Sequence, residues 1–206
     1  MATTTYVPIE AKTLASATST VTFSSIPQTY TDLVLVANLF YTPSYSRIDL
    51  QVGNGSVDTG SNYSVTEVYG QLSTYGTQRN SNQTMMRIGY AIGDNTAWGL
   101  QVQIYFQNYS NTTTYKTVLN RCGLAGSNGT PGVTAGVGLW RSTNAIDIIK
   151  IFSPNSNNYA AGSTFTLYGI ATLILVLMLL VELLPTTVLT TITPLVHQEH
   201  LHQVKI

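Results

Sequence analysis

Charge is what this chain has least of. Nine basic and nine acidic residues among 206 cancel, and together they make up only 9% of the chain, against roughly 25% in an average soluble protein. No long-range field would draw in DNA, RNA or an acidic membrane surface, so a nucleic-acid partner is not expected. Cysteine is nearly absent too: Cys122 stands alone, which excludes an internal disulfide and a cysteine-based zinc site. No histidine lies near it in sequence, so it reads as a buried, inert thiol rather than a nucleophile. The three histidines, His197, His200 and His202, all sit near the C-terminal end, which leaves no Ser-His-Asp arrangement before them. Met1-Ala-Thr-Thr-Thr-Tyr6 has neither a basic start nor an apolar core, so export through a signal peptide is not expected. A helical capping box followed by an apolar stripe of period 3.6 is also missing before Ile170.

With so little charge, Ser, Thr, Asn, Gln and Tyr must hydrate the surface. Thirteen Tyr against five Phe fits the same pattern, because Tyr pairs apolar area with a polar tip and suits half-wet interfaces. Such a skin is usual on secreted, cell-surface and particle proteins, whose neighbours are copies of themselves or glycans. At this length one domain plus an appendage is expected.

About ten short stretches before Ile170 alternate apolar and polar residues between Gly-, Asn-, Ser- and Pro-rich turns. Arg47-Ile-Asp-Leu-Gln-Val52 sets Ile48, Leu50 and Val52 on one face and Arg47, Asp49 and Gln51 on the other. Gln101-Val-Gln-Ile-Tyr-Phe-Gln107 repeats the scheme, while Leu33-Val-Leu-Val36 and Ala145–Phe152 are apolar on both faces, as a central strand would be. Further strands are predicted at Thr20–Ser24, Tyr63–Tyr69, Thr84–Ala91, Tyr115–Arg121, Thr134–Arg141 and Ser163–Ile170. Many short strands at this spacing predict an all-β domain over residues 1–170, an antiparallel β-sandwich or jelly roll.

Candidate sites are few. Tyr41 and Tyr45, across Thr42-Pro43-Ser44, and Trp98 are aromatic residues in predicted loops that could stack on the apolar face of a sugar. Rings in such places also serve as plugs at sandwich ends or at subunit interfaces; Trp140, inside an apolar strand, reads as core. The glycines of Gly132-Val-Thr-Ala-Gly-Val-Gly138 carry no Lys-Ser/Thr and no following helix, so they read as strand glycines that permit close packing rather than a phosphate loop. Acids occur as scattered singles such as Asp94 and Asp147, which gives no paired glycosidase site. His197-Gln-Glu-His-Leu-His202 holds donor types suited to Zn²⁺ or Ni²⁺. On a helix, however, His202 would leave the face shared by His197 and His200, and no metal or cofactor site is assigned.

Four segments carry a resemblance: Val21-Thr-Phe-Ser-Ser-Ile-Pro-Gln-Thr-Tyr-Thr-Asp-Leu-Val-Leu-Val36, Tyr109-Ser-Asn-Thr-Thr-Thr-Tyr-Lys-Thr117, Gly138-Leu-Trp-Arg-Ser-Thr143 and Gly162-Ser-Thr-Phe-Thr-Leu-Tyr-Gly-Ile170. Together they resemble small β-rich structural proteins of tailed bacteriophages, marine and cyanobacterial ones in particular, over nearly all of residues 1–170. The resemblance implies a non-enzymatic virion component on the particle surface, as capsid decoration or tail and fibre part, made in the host cytoplasm. Its expected partners are copies of itself and the major particle proteins, with a host-surface glycan as the alternative.

Residues 171–206 break this pattern with Leu173-Ile-Leu-Val-Leu-Met-Leu-Leu-Val181. Three explanations compete. A membrane anchor over 171–184 is interrupted by Glu182 and Pro185 after roughly half of the ~20 residues a span needs. A buried assembly strand or helix would suit Thr186-Thr-Val-Leu-Thr-Thr-Ile-Thr193, which has strong β propensity. The third explanation is a change of reading frame. Leu173–Glu182 can be spelled CTA ATA CTG GTG CTA ATG CTA CTG GTG GAA, and reading two nucleotides on gives Asn-Thr-Gly-Ala-Asn-Ala-Thr-Gly-Gly. In the same way Gln198–Gln203 can be spelled to hide Gly-Thr-Phe-Thr-Pro. Both hidden peptides resemble Gly/Thr-rich modules of phage tail and fibre proteins, and the genomic sequence across codon 171 decides the matter.

Overall fold

Alternation with a period of two, set against polar turns, yields strands throughout. The computed structural model describes residues 5–42, 46–71, 74–91, 99–125, 131–154 and 157–171, and among these there is no helix. Tyr6–Ile170 form one compact unit. In the other unit, Met1–Thr5 with Ala171–Ile206, only Thr5 and Ala171 are described, joined by an Ala171 N–H to Thr5 O bond of 3.2 Å. The three readings of the C-terminal tail and the His197–His202 cluster therefore fall outside the described residues.

In chain order the strands are β1 (Tyr6–Thr13), β2 (Thr20–Phe23), β3 (Asp32–Leu39), β4 (Tyr41–Thr42), β5 (Ser46–Asn54), β6 (Ser56–Val57), β7 (Tyr63–Gln71) and β8 (Thr74–Gln83). There follow β9 (Met86–Ala91), β10 (Leu100–Phe106), β11 (Lys116–Ala125), β12 (Pro131–Trp140), β13 (Ile148–Phe152), β14 (Asn158–Tyr159) and β15 (Thr164–Ile170). The large sheet has eight strands in the order β1-β15-β3-β10-β11-β12-β7-β8. In the smaller sheet β2, β13 and β5 lie side by side; β9 and β6 pair with opposite ends of β5. Every pairing is antiparallel, and the two sheets form the expected β-sandwich.

The core lies between the sheets. Leu33, Leu35, Ala37 and Leu39 of β3 supply it from the large sheet, with Val102, Ile104 and Phe106 of β10 beside them. Val21, Phe23, Ile48, Leu50, Val52, Ile149 and Ile151 answer from the smaller one. Two glycines of β12, Gly136 and Gly138, permit close packing as expected, whereas Gly132 has room for a Cβ. A Cβ at Gly138 would collide with Met86 Sδ, and one at Gly136 would stand 2.8 Å from Asn120 Oδ1.

The sheets are also joined by polar ties. Tyr63 of β7 is fully buried, and its hydroxyl lies 2.9 Å from Val52 O and 2.8 Å from Asp58 O while accepting the Val52 N–H at 3.2 Å. The alternation in β5 carries one departure from expectation. Ile48, Leu50 and Val52 are core, but Asp49 and Gln51 are buried as well, because each finds a partner: Asp49 takes Arg47, and Gln51 donates to Thr84 O at 2.9 Å.

Candidate functional site

The three aromatic sugar-binding candidates do not come together. Tyr41 is a correction: its residue pairs with Tyr159 in the β4–β14 ladder, and its ring lies 5.4 Å from that of Tyr159, which in turn meets Phe165 at 5.5 Å. The ring is fully buried. Burial first, then Tyr159, Cys122 and Asp49, push its hydroxyl well above the usual phenol range. It therefore offers no ring face to a ligand. Thr42-Pro43-Ser44 reads as a loop in the sequence and Pro43 and Ser44 fall outside the described residues, but Tyr41 before them packs into the core. Tyr45 and Trp98 fall outside the described residues.

Cys122 is buried as expected, with its thiol donating to Ile88 O at 3.3 Å. Burial, helped by the charge of Glu67, pushes it up to about 12, the wrong direction for a nucleophile. Trp140 is core, and its indole N–H donates to Asp58 Oδ2 at 2.7 Å. Asp58 also receives Asn62 Nδ2 at 2.9 Å and Gly60 N–H at 2.8 Å. Partial burial works to raise this carboxyl, but those three donors outweigh it and hold the group below its usual range. The polar pocket around it, about 380 Å³, is lined by Asn54, Ser56, Thr59, Ser142 and Asn144 among others.

A buried ion-pair cluster went unread in the sequence. Arg87 of β9 meets Glu67 of β7, Nε to Oε2 at 3.1 Å and Nη2 to Oε1 at 2.5 Å, and Arg47 Nη2 meets Asp49 Oδ2 at 2.6 Å. Asp49 lies directly opposite Arg87 in the β5–β9 register. Burial pushes the Asp49 carboxyl above its usual range, against the hydrogen bond and charge of Arg47; its Oδ1 accepts no hydrogen bond from the described residues. A cleft of about 240 Å³ opens beside the cluster, with Gln78, Asn80 and Gln83 on its wall. Each carboxylate faces its own guanidinium, so the charges close on one another and fasten β7 to β9, one sheet to the other. Among the described residues no group of three His, Cys, Asp or Glu is arranged to hold a metal ion.

The remaining feature is a surface. Register places Val36, Gln103, Arg121, Ala135 and Val68 in one row across the outer face of the large sheet. Val34, Tyr105, Leu119 and Val137 make the next row, with Gly123, Val133, Gly70 and Tyr75 on the far side of the first. On this face Val68 is 52% exposed, Val133 53%, Val137 48%, Val36 36%, Tyr75 84% and Tyr6 49%. The one other large exposed hydrophobic among the described residues, Tyr115, immediately precedes β11 on the same alternation. Exposed apolar side chains are thus gathered on one side of the molecule. Compared with protein-family models, curated proteins and solved structures, the chain matches none.

Proposed function

We propose that this chain is a non-enzymatic structural protein of a tailed-phage particle, set on the particle surface and assembled with further copies of itself and the major particle proteins. The observation that carries the reading is the one-sided apolar face of the large sheet, centred on Val68, Val133 and Val137. Single exposed hydrophobics are ordinary, but a contiguous set on one face marks an interaction surface. Charge neutrality supports the same reading, since copies packed side by side on a particle would not repel one another. The resemblance of residues 1–170 to phage structural proteins points the same way.

Quantitative mass spectrometry of purified particles from the source phage tests this. Hundreds of copies per particle are expected of a capsid decoration protein, and a handful of a tail or fibre part. Absence from the particle overturns the proposal.

A second reading, attachment to a host glycan, is favoured by the polar pocket around Asp58, whose Asn, Ser and Thr side chains suit sugar hydroxyls. Loss of glycan-array binding in Asn144→Ala, with unchanged thermal stability, would support it over the first.

A further inference from the structure

The two edges of the large sheet are not alike. At one edge, β1 carries Pro8, which has no N–H to offer, and a register shift between Pro8 and Glu10. Beyond the shift it carries a Glu10–Lys12 ion pair of 2.7 Å. These are the devices by which sheet edges are kept from pairing with other chains. At the other edge, β8 runs for 10 residues, Thr-Tyr-Gly-Thr-Gln-Arg-Asn-Ser-Asn-Gln, with no proline and a single charge, Arg79. Among the described residues its only strand partner is β7, and its far side presents backbone donors and acceptors that pair with none of them over a length of about 30 Å.

The strand is also complementary to itself. Tyr75, Thr77 and Arg79 alternate onto the outer face, where their cross-strand neighbours are Gly70, Val68 and Thr66. Tyr75 and Arg79 stand two residues to either side of Thr77. If a second copy of β8 lies antiparallel to the first about a two-fold axis at Thr77, each Tyr75 falls opposite Arg79 of the second copy. An exposed aromatic ring beside a guanidinium is an attractive pair. A register centred on Arg79 would instead set two like charges opposite each other, which is unfavourable. The axis stands perpendicular to the sheet, so both outer faces remain on the same side. The exposed valines of the two copies would then flank a central strip made of Tyr75, Thr77 and Arg79 from both copies.

We infer that β8 is the edge through which two copies of this chain pair, antiparallel and centred on Thr77, into one continuous sheet. The inference rests on the self-assembly proposed above and names its geometry. Residues directly opposite in an antiparallel pair have Cα atoms roughly 4.5–5.5 Å apart, within reach of a disulfide. The native Cys122 is buried, so an introduced exposed cysteine would react alone.

The test uses the full-length chain under mild oxidation. Thr77→Cys is expected to run at twice the monomer mass without reductant and to return to monomer with it, whereas Ala11→Cys on the β1 edge stays monomeric. Tyr75→Cys and Arg79→Cys are each expected to stay monomeric alone, and to form a mixed disulfide dimer when combined. All four positions are on exposed strand edges, and an unchanged unfolding midpoint verifies that each variant folds. Equal cross-linking of Ala11→Cys and Thr77→Cys overturns the inference. So does a chain that sediments as an oligomer while Thr77→Cys fails to cross-link, and that outcome leaves assembly through the valine face standing. A chain that stays monomeric at every concentration, with no cross-link at Thr77, overturns both.

Discussion

The two faces of the large sheet are built from the same strands, yet they obey different rules. On the inner face Leu33, Leu35, Ile104, Phe106, Val118 and Leu167 are fully buried, and Glu67, Lys116 and Asn120 among its buried polar residues each have a partner. On the outer face Val68, Val133 and Val137 are about half exposed, and no described side chain covers them. Inner residues hold the fold together through packing and desolvated polar pairs. Outer valines contribute little to the isolated domain and become useful only when something lies against them. The comparison separates residues that stabilise the chain from residues that unite chains.

That separation can be broken at several points. Arg87→Ala should do the most damage, because it leaves Glu67 charged and buried without its guanidinium; a loss of about 3–5 kcal/mol is expected in chemical denaturation. Leu35→Ala removes packing from the centre of the inner face and should cost about 2–5 kcal/mol by the same measurement. Asp58 gives a smaller, pH-dependent effect. Its folded carboxyl lies below its usual range, so its contribution is present above the unfolded pKa of about 4 and is lost as pH falls through the folded value. Asp58→Asn should therefore flatten the acid limb of a plot of unfolding midpoint against pH. The smallest change in stability is expected on the outer face, where Val68→Lys with Val137→Lys should cost less than about 1 kcal/mol.

Much of the sandwich was legible in the sequence, because period-two alternation survives wherever one face is core. All ten predicted stretches are strands, with ends moved by a few residues. What escaped was what the pattern does not encode. β8 has no apolar alternation; Thr74–Gln83 is extended because it pairs along β7, a tertiary cause. In β7 the pattern inverts: Tyr63 and Val65 fix the inward parity, which turns Glu67 into the interior and Val68 out to solvent. A single inversion of that kind marks both the buried ion pair and the centre of the exposed face, and it was the one available signal for either. Asp49 gives the same lesson in β5, where a charged residue is buried because Arg47 accompanies it. Tyr41 was misplaced because the sequence after it, Thr42-Pro43-Ser44, reads as a turn, whereas its own backbone belongs to a ladder.

The central claim is that the valine face joins chains without supporting the fold. Sedimentation velocity across a range of concentrations, on the native chain and on the Val68→Lys, Val137→Lys double variant, tests it most directly. The prediction is a native chain that associates beyond the β8-paired dimer as concentration rises, and a double variant that stops at that dimer with nearly the same unfolding midpoint. A double variant that associates as strongly as the native chain, or that unfolds as readily as Leu35→Ala, would contradict it.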